Sequence, residues 1–140
     1  MNGAPYAATL LRVSLGVMYV AHSLILKYFV FTLPGTAQFF ASLGLPAALA
    51  YATFWAELVG GAMLIAGIGT RVVSLALVPV LAGALWVHAG NGWVFSAANG
   101  GWEYPLFLIV ASFAAALLGD GKYALANVLR ARNVHLGAYA

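Results

Sequence analysis

Residues Pro46–Gly67 read PAALAYATFWAELVGGAMLIAG, and this stretch decides the class of fold. It is apolar almost throughout, and its one charged residue is Glu57. Its length matches the roughly 20 residues that a helix needs to cross a bilayer. Pro46 stands where the first turn of a helix needs no amide donor, and the run Gly67-Ile68-Gly69-Thr70 predicts a tight turn after it. The stretch therefore predicts a transmembrane helix.

The composition of the whole chain supports the same class. Of its 140 residues 64% are hydrophobic and only 6% are charged, whereas soluble domains are about 25% charged. The absence of cysteine excludes disulfide scaffolds, thiolate metal sites and covalently attached c-type haem. A net charge of +3, spread along the chain, does not indicate nucleic-acid binding. The composition predicts an integral membrane protein.

Three further apolar segments lie at about 6–31, 71–89 and 104–118. Together with 46–67 they predict an all-α membrane protein, a bundle of four transmembrane helices that forms one domain over 1–140, with 119–140 as a basic cytoplasmic tail. Leu33-Pro34-Gly35 is predicted to end the first helix. Thr36 is predicted to cap a short helix, Ala37–Leu43, that lies flat at the membrane interface between spans one and two. Pro79 predicts a kink in span three.

The positive charges predict the orientation. Basic residues occur in the second connection and in the tail, whereas the first and third connections contain no arginine, and Lys27, near the first connection, is the exception. The positive-inside rule then places both termini in the cytoplasm. The basic residues behind this prediction are Arg71, Lys122, Arg130 and Arg132.

Polar residues inside apolar spans are costly and require an explanation. A helical rise of about 1.5 Å per residue puts His22 and Glu57 at matching depth, about 13 and 16 Å below the outer face. His88, Glu103 and Lys27 lie nearer that face. We call these five residues the outer polar cluster. In the inner half, Arg12 and Arg71 are interpreted as structural polar residues.

The outer polar cluster allows three interpretations. A histidine beside a carboxylate can relay protons and bond a quinone carbonyl, because imidazole changes its charge near neutral pH. Two histidines and two carboxylates could instead hold a metal ion, and histidines on two spans could ligate haem, although their depths differ. The third interpretation is that Glu57 pairs with His22 or an arginine only to fasten helices together. Gly60 and Gly61 predict a close helix crossing.

Several motifs carry a resemblance to a known family. In their order and spacing the chain resembles the DoxX family of small bacterial membrane proteins, from about Arg12 to Leu125. That resemblance implies a four-helix protein of the bacterial inner membrane. It also implies a link to redox enzymes, since the family takes its name from a subunit associated with thiosulfate:quinone oxidoreduction. The motifs are Arg12 with Gly16, Ala21-His22-Ser23 with Lys27, Phe39–Pro46, Glu57–Gly61, Arg71, His88, Glu103 and Gly119-Asp120-Gly121.

The leading functional hypothesis is a membrane subunit of a redox complex that offers a quinone-accessible or proton-conducting pocket. Its partners would be the lipid bilayer, other membrane or periplasmic redox subunits, or a second copy of the chain. The sequence shows no redox centre of its own, so we do not expect a complete enzyme. The alternatives are a purely structural subunit of a respiratory or photosynthetic complex and a small-solute transporter, which the missing inverted repeat disfavours.

Overall fold

The structure is a computed structural model that describes residues 3–137, with side chains described as far as Ala131. Within that range the secondary structure is entirely helical. The first helix is α1, and it continues without a break into a π-helix, in which amides bond to the fifth carbonyl back along the chain. The elements are α1 (Ala4–Val20), the π-helix (Ala21–Val30), α2 (Leu33–Ser42), α3 (Ala48–Ala66), α4 (Thr70–Ala76), α5 (Val78–His88), a 3₁₀ turn (Ala89–Asn91), α6 (Glu103–Leu118) and α7 (Leu125–Gly137).

Three helical stretches are long and apolar enough to cross a membrane. They are Ala4–Val30 with 27 residues, Ala48–Ala66 with 19 and Thr70–Asn91 with 22. The fourth apolar helix, α6, is shorter at 16 residues. The outward faces of the helices are themselves apolar: Phe29 and Leu117 are 72% and 79% exposed. Such continuous apolar surface is what a lipid-facing protein presents.

The apolar helices pack in a closed ring around one core. Helix α1 lies between α3 and α6, while α4 contacts both α3 and α6, and α5 continues along α6. The core holds large aliphatic side chains from α1, α3, α4–α5 and α6, together with one tyrosine. Its buried members are Leu15, Tyr19, Leu64, Val73, Leu77, Leu81, Leu108, Ala111 and Ala115.

Two glycines make a close crossing between α1 and α3. A Cβ built on Gly61 would come within 2.8 Å of the Gly16 carbonyl oxygen, and one built on Gly16 within 2.7 Å of the Gly61 oxygen. Gly60 faces a different neighbour, since its Cβ would lie 2.9 Å from the Leu77 side chain. The predicted pair of glycines therefore serves two contacts, with α1 on one side and with the α4–α5 junction on the other.

The short helix α2 begins earlier than predicted. The first helix ends at Val30, close to the predicted Phe31, and the predicted short helix is present. The prediction that Leu33-Pro34-Gly35 ends the first helix and that Thr36 caps a helix from Ala37 is wrong. Thr32, at φ 62°, accepts the Gly35 N–H at 3.2 Å and caps a helix that starts at Leu33. Proline is tolerated in the first turn of a helix because the N–H groups of that turn have no acceptor within the helix. The same residue can therefore start a helix as easily as stop one.

The third apolar stretch is interrupted where its proline predicts. Helix α4 ends at Ala76 and α5 begins at Val78, which leaves Leu77 between them and Pro79 in the first turn of α5. The predicted turn before this stretch is confirmed, with Gly67 and Gly69 at φ 74° and 61°. The predicted tail contains α7, and the side chain of Arg132 lies outside the described part of the chain.

Candidate functional site

The π-helix positions Lys27. Its hydrogen bonds reach back five residues, as in the bond from the Phe31 N–H to the Leu26 oxygen at 2.8 Å. This widened turn rotates every later side chain relative to an α-helix, and such segments often occur at functional sites. Lys27 belongs to this segment, where the π-helix contacts α3.

Lys27 and Glu57 form a direct ion pair inside the helical bundle. Lys27 Nζ donates to Glu57 Oε2 at 2.6 Å, and the two side chains are only 16% and 7% exposed. Glu57 lies midway along α3. The sequence analysis named His22 or an arginine as the partner of Glu57, and the direct partner in the structure is Lys27. The depth estimate missed it because a lysine side chain is long and flexible enough to reach down from the interface.

His22 lies beside this pair and makes other contacts. It is near enough to interact electrostatically with Glu57, but its Nδ1 hydrogen-bonds the Met18 carbonyl at 3.0 Å. Its ring stacks on Tyr104 at 6.1 Å between centroids. Because a carbonyl only accepts, Nδ1 carries the proton in this bond. Nε2 is then an acceptor in the neutral ring and a donor in the charged one.

An open groove runs along α1 to His22. It has a volume of about 450 Å³ and a mainly apolar lining that comes from one face of α1 and from the start of α6. His22 and Tyr104 provide the ring groups at one end of it. The lining residues are Val13, Ser14, Val17, Met18, Ala21, His22 and Tyr104.

His88 and Glu103 organise a loop. His88 Nδ1 bonds the Asn99 carbonyl at 3.0 Å, and Glu103 Oε1 accepts the Phe95 N–H at 2.9 Å. The loop closes on itself through the edge-to-face contact of Trp93 and Trp102, whose centroids are 4.5 Å apart. Within the outer polar cluster, Lys27 and Glu57 therefore pair with each other, and His22 lies beside them. His88 and Glu103 instead bond to the backbone of the loop.

Arg12 is completely buried at the other end of the bundle. Its guanidinium donates to the carbonyls of Leu64 and Ile65, the latter at 2.7 Å, at the carboxyl end of α3. It also donates to the carbonyls of Asp120 at 3.0 Å and Tyr123 at 2.6 Å. Cations are favoured at helix carboxyl ends, where carbonyls lack partners. Arg12 therefore joins α1, α3 and the segment after α6.

The Asp120 carboxylate lies at the same end of the bundle as Arg12 and binds two further residues. Its Oδ1 accepts the Thr70 N–H at 3.2 Å and its Oδ2 pairs with Arg130 at 2.5 Å. Partial burial raises the pKa of Asp120, but the nearby Thr70 hydroxyl, the hydrogen bond from the Thr70 N–H and the Arg130 charge lower it by a larger amount, so the pKa of Asp120 lies below its usual value. Arg71 is exposed, beside Gly119. The sequence prediction did not include Asp120 among the site residues.

The sequence analysis also did not identify several hydroxyl groups that the structure buries. Ser74, Thr70 and Ser112 are each 0% exposed, and Tyr19 is 1% exposed. Serine and threonine are common enough in apolar helices that their presence alone is weak evidence. No group of three or more histidine, aspartate or glutamate side chains that could hold a metal occurs in the described residues.

The fold and its buried charges define a class of protein, a small helical membrane protein with an ion pair inside its bundle. The DoxX family model matches residues 7–90, and the chain belongs to the DoxX family. It is also 34% identical over 116 residues to "Putative oxidoreductase CatD" of Bacillus subtilis (strain 168). That match covers 83% of this chain and 81% of the relative. No solved structure matches the chain.

Proposed function

We propose that this DoxX protein is a four-span subunit of the bacterial cytoplasmic membrane that binds a quinone beside the Lys27–Glu57 pair and works with a redox partner. The observation that carries the proposal is the pair itself, two charges held 2.6 Å apart inside an apolar bundle. Ionisable residues within membrane helices are costly and commonly mark ligand or proton sites. The name of the similar Bacillus protein supports redox chemistry.

The groove at His22 suits a quinone in shape and polarity. Its apolar lining along α1 matches an isoprenoid tail that enters from the lipid, and its ring-lined end matches a flat head group. Among the described residues His22 Nε2 has no hydrogen-bond partner, whereas Nδ1 bonds the Met18 carbonyl. A charged His22 donates to a quinone carbonyl, and a neutral one accepts from a quinol hydroxyl.

The pair beside His22 supplies the proton chemistry. Reducing a quinone to a quinol takes two electrons and two protons. The electrons come from the redox centre of the partner subunit, and the protons come through His22 and the Lys27–Glu57 pair. His22 lies near Glu57, so a proton can pass between the imidazole and the pair through one bridging water. The reverse reaction returns the protons by the same groups.

Removing both charges together tests the proposal. Leaving one buried charge unpaired costs about 3–5 kcal/mol, whereas replacing both partners by apolar residues of similar volume is often neutral. The double variant Lys27→Met/Glu57→Met should therefore keep its thermal stability. If the site binds quinone, the same variant should lose affinity for short-chain benzoquinone and naphthoquinone analogues, measured by quenching of tryptophan fluorescence.

Glu103→Gln is the matched control, because Glu103 bonds the backbone of the loop and does not line the groove. It should bind the analogues as the unaltered protein does. If the double variant binds them with unchanged affinity, the ion pair only fastens helices and the protein is better described as a structural subunit. Loss of binding in His22→Phe, with the fold retained, would support the head-group contact.

A further inference from the structure

Two hydroxyls deep in the bundle stand out because they make no hydrogen bond. Among the residues that the structure describes, Thr70 Oγ1 and Ser74 Oγ are buried side-chain atoms without a partner, and both residues are 0% exposed. They lie one turn apart on α4, so they share a face of that helix. A buried hydroxyl without a partner costs free energy, and such sites in proteins commonly hold ordered water.

These hydroxyls continue a series of polar groups that begins at the inner end. The Thr70 N–H bonds Asp120, and the Thr70 hydroxyl lies close to the same carboxylate. Ser74 follows about 6 Å further along the axis, by the helical rise of about 1.5 Å per residue. Helix α4 packs on α6, where Ser112 is also 0% exposed. The small side chains of Ala111 and Ala115 flank Ser112 on the buried face of α6.

From Ser112 the series reaches the ion pair. The Tyr19 hydroxyl lies 3.5 Å from Ser112 Oγ, at the limit of a hydrogen bond. Glu57 is close enough to Tyr19 to interact with it electrostatically, and Glu57 is bonded to Lys27, which is partly exposed. The otherwise aliphatic core thus contains buried polar groups from α1, α3, α4 and α6, and two of the steps between them, Ser112 to Tyr19 and Glu57 to Lys27, are direct contacts.

We infer that these groups hold a chain of internal water molecules and form a proton path between Asp120 at the inner end and the Lys27–Glu57 pair. Hydroxyls suit this role because each both donates and accepts, so a proton can pass along a bonded series without a net charge resting on any serine. The inference deepens the proposed function, because the path would deliver protons to the quinone site. The groups are Asp120, Thr70, Ser74, Ser112, Tyr19 and Glu57.

Internal water can be measured directly. In lipid vesicles, solid-state NMR transfer of magnetisation from water should reach the Ser74 and Ser112 side chains as fast as it reaches Asp120. The methyl groups of Leu81, a buried aliphatic residue of the same core, should receive it slowly and serve as the internal control. Transfer to both serines as slow as that to Leu81 would overturn the inference.

Proton movement gives the second measurement. Vesicles that carry the protein and an internal pH dye should take up protons under an imposed potassium diffusion potential. Ser74→Val, which replaces the hydroxyl by apolar bulk, should reduce that uptake to the level of protein-free vesicles. Ser74→Ala removes the hydroxyl without adding volume, so it should fold normally and should also slow the uptake. Ser42→Val, at an exposed hydroxyl on α2, should leave it unchanged.

The outcomes separate this inference from the proposed function. Uptake by Ser74→Val equal to that of the unaltered protein, or no uptake above protein-free vesicles in the unaltered protein, would overturn the path even if quinone binds. Loss of uptake in Ser74→Val with normal binding of the quinone analogues would support it. If both serines are hydrated and the protein takes up protons but binds no quinone analogue, the proton path is supported and the quinone site is refuted.

Discussion

At the scale of single residues, the buried Arg12 and the largely buried Lys27 are held in different ways. Lys27 has a carboxylate as its partner, while Arg12 is surrounded by carbonyl oxygens. The guanidinium suits the second task because its donors fan out in a fixed plane and serve several acceptors at once. An ammonium group is a compact charge and suits a single carboxylate.

The role of Arg12 leads to a stability prediction. Arg12→Gln should lower the free energy of unfolding by about 3 kcal/mol or more, because each buried acceptor left without a donor costs roughly 1–3 kcal/mol. Arg12→Lys should recover only part of this loss, since lysine cannot reach four carbonyls together. Thermal unfolding in detergent, followed by tryptophan fluorescence, measures the change.

Arg71→Gln is the control for this experiment. Arg71 is exposed, and exposed substitutions usually change stability by less than about 0.5 kcal/mol. A variant Arg12→Gln that unfolds at the same temperature as Arg71→Gln would show that the carbonyls at the end of α3 find other donors.

At the scale of helices, the crossing of α1 and α3 fixes the geometry of the site. The two backbones touch at Gly16 and Gly61, one turn from Glu57 along α3. Small residues permit this close approach, and the van der Waals contact that results helps to hold membrane helices together. The crossing therefore sets how far Lys27 must reach to meet Glu57, and a wider separation would break the pair.

Gly61→Leu should force α1 and α3 apart. Overpacking costs about 1–3 kcal/mol in well-packed interiors, and here the clash is with backbone, which cannot rotate away. We expect a lower unfolding temperature and, because the ion pair loosens, weaker binding of quinone analogues. Gly83→Leu is the matched control, because nothing lies within 4 Å of a Cβ placed there. Equal stability of the two variants would mean that the crossing adapts.

At the scale of the whole molecule, the charge distribution predicts the orientation in the membrane. Arg71, Lys122 and Arg130 lie at the Asp120 end of the bundle, and the loop with Trp93 and Trp102 lies at the other. The positive-inside rule places the Asp120 end in the cytoplasm. In that orientation the proposed proton path opens to the cytoplasm.

A topology experiment tests this orientation. A reporter that is active only in the periplasm should give signal when fused after Ala98, in the loop between the 3₁₀ turn and α6, and none when fused after Ala140. The opposite pattern would reverse the orientation and open the proton path to the periplasm. Signal from both fusions would contradict an even number of spans and remove α6 as a spanning helix.

The sequence by itself determined the helical membrane class, the turn at Gly67, the interruption near Pro79 and the DoxX family, which the comparison with the family model confirms. Each of these features depends on local composition or on spacing along one segment, and such signals are present in the chain before it folds. Depth counting along ideal helices was also enough to select His22 and Glu57 as residues to explain.

Only the tertiary structure decided which side chains meet. Lys27 reaches Glu57 because a π-helix rotates it and because the glycine crossing brings α1 against α3. Neither effect can be read from periodicity, which assumes a regular helix and says nothing about distance between segments. The same packing gives Arg12 its carbonyl partners and leaves Ser74 Oγ without a partner among the described residues. Partner choice depends on contacts between distant parts of the chain, and those exist only after the helices assemble.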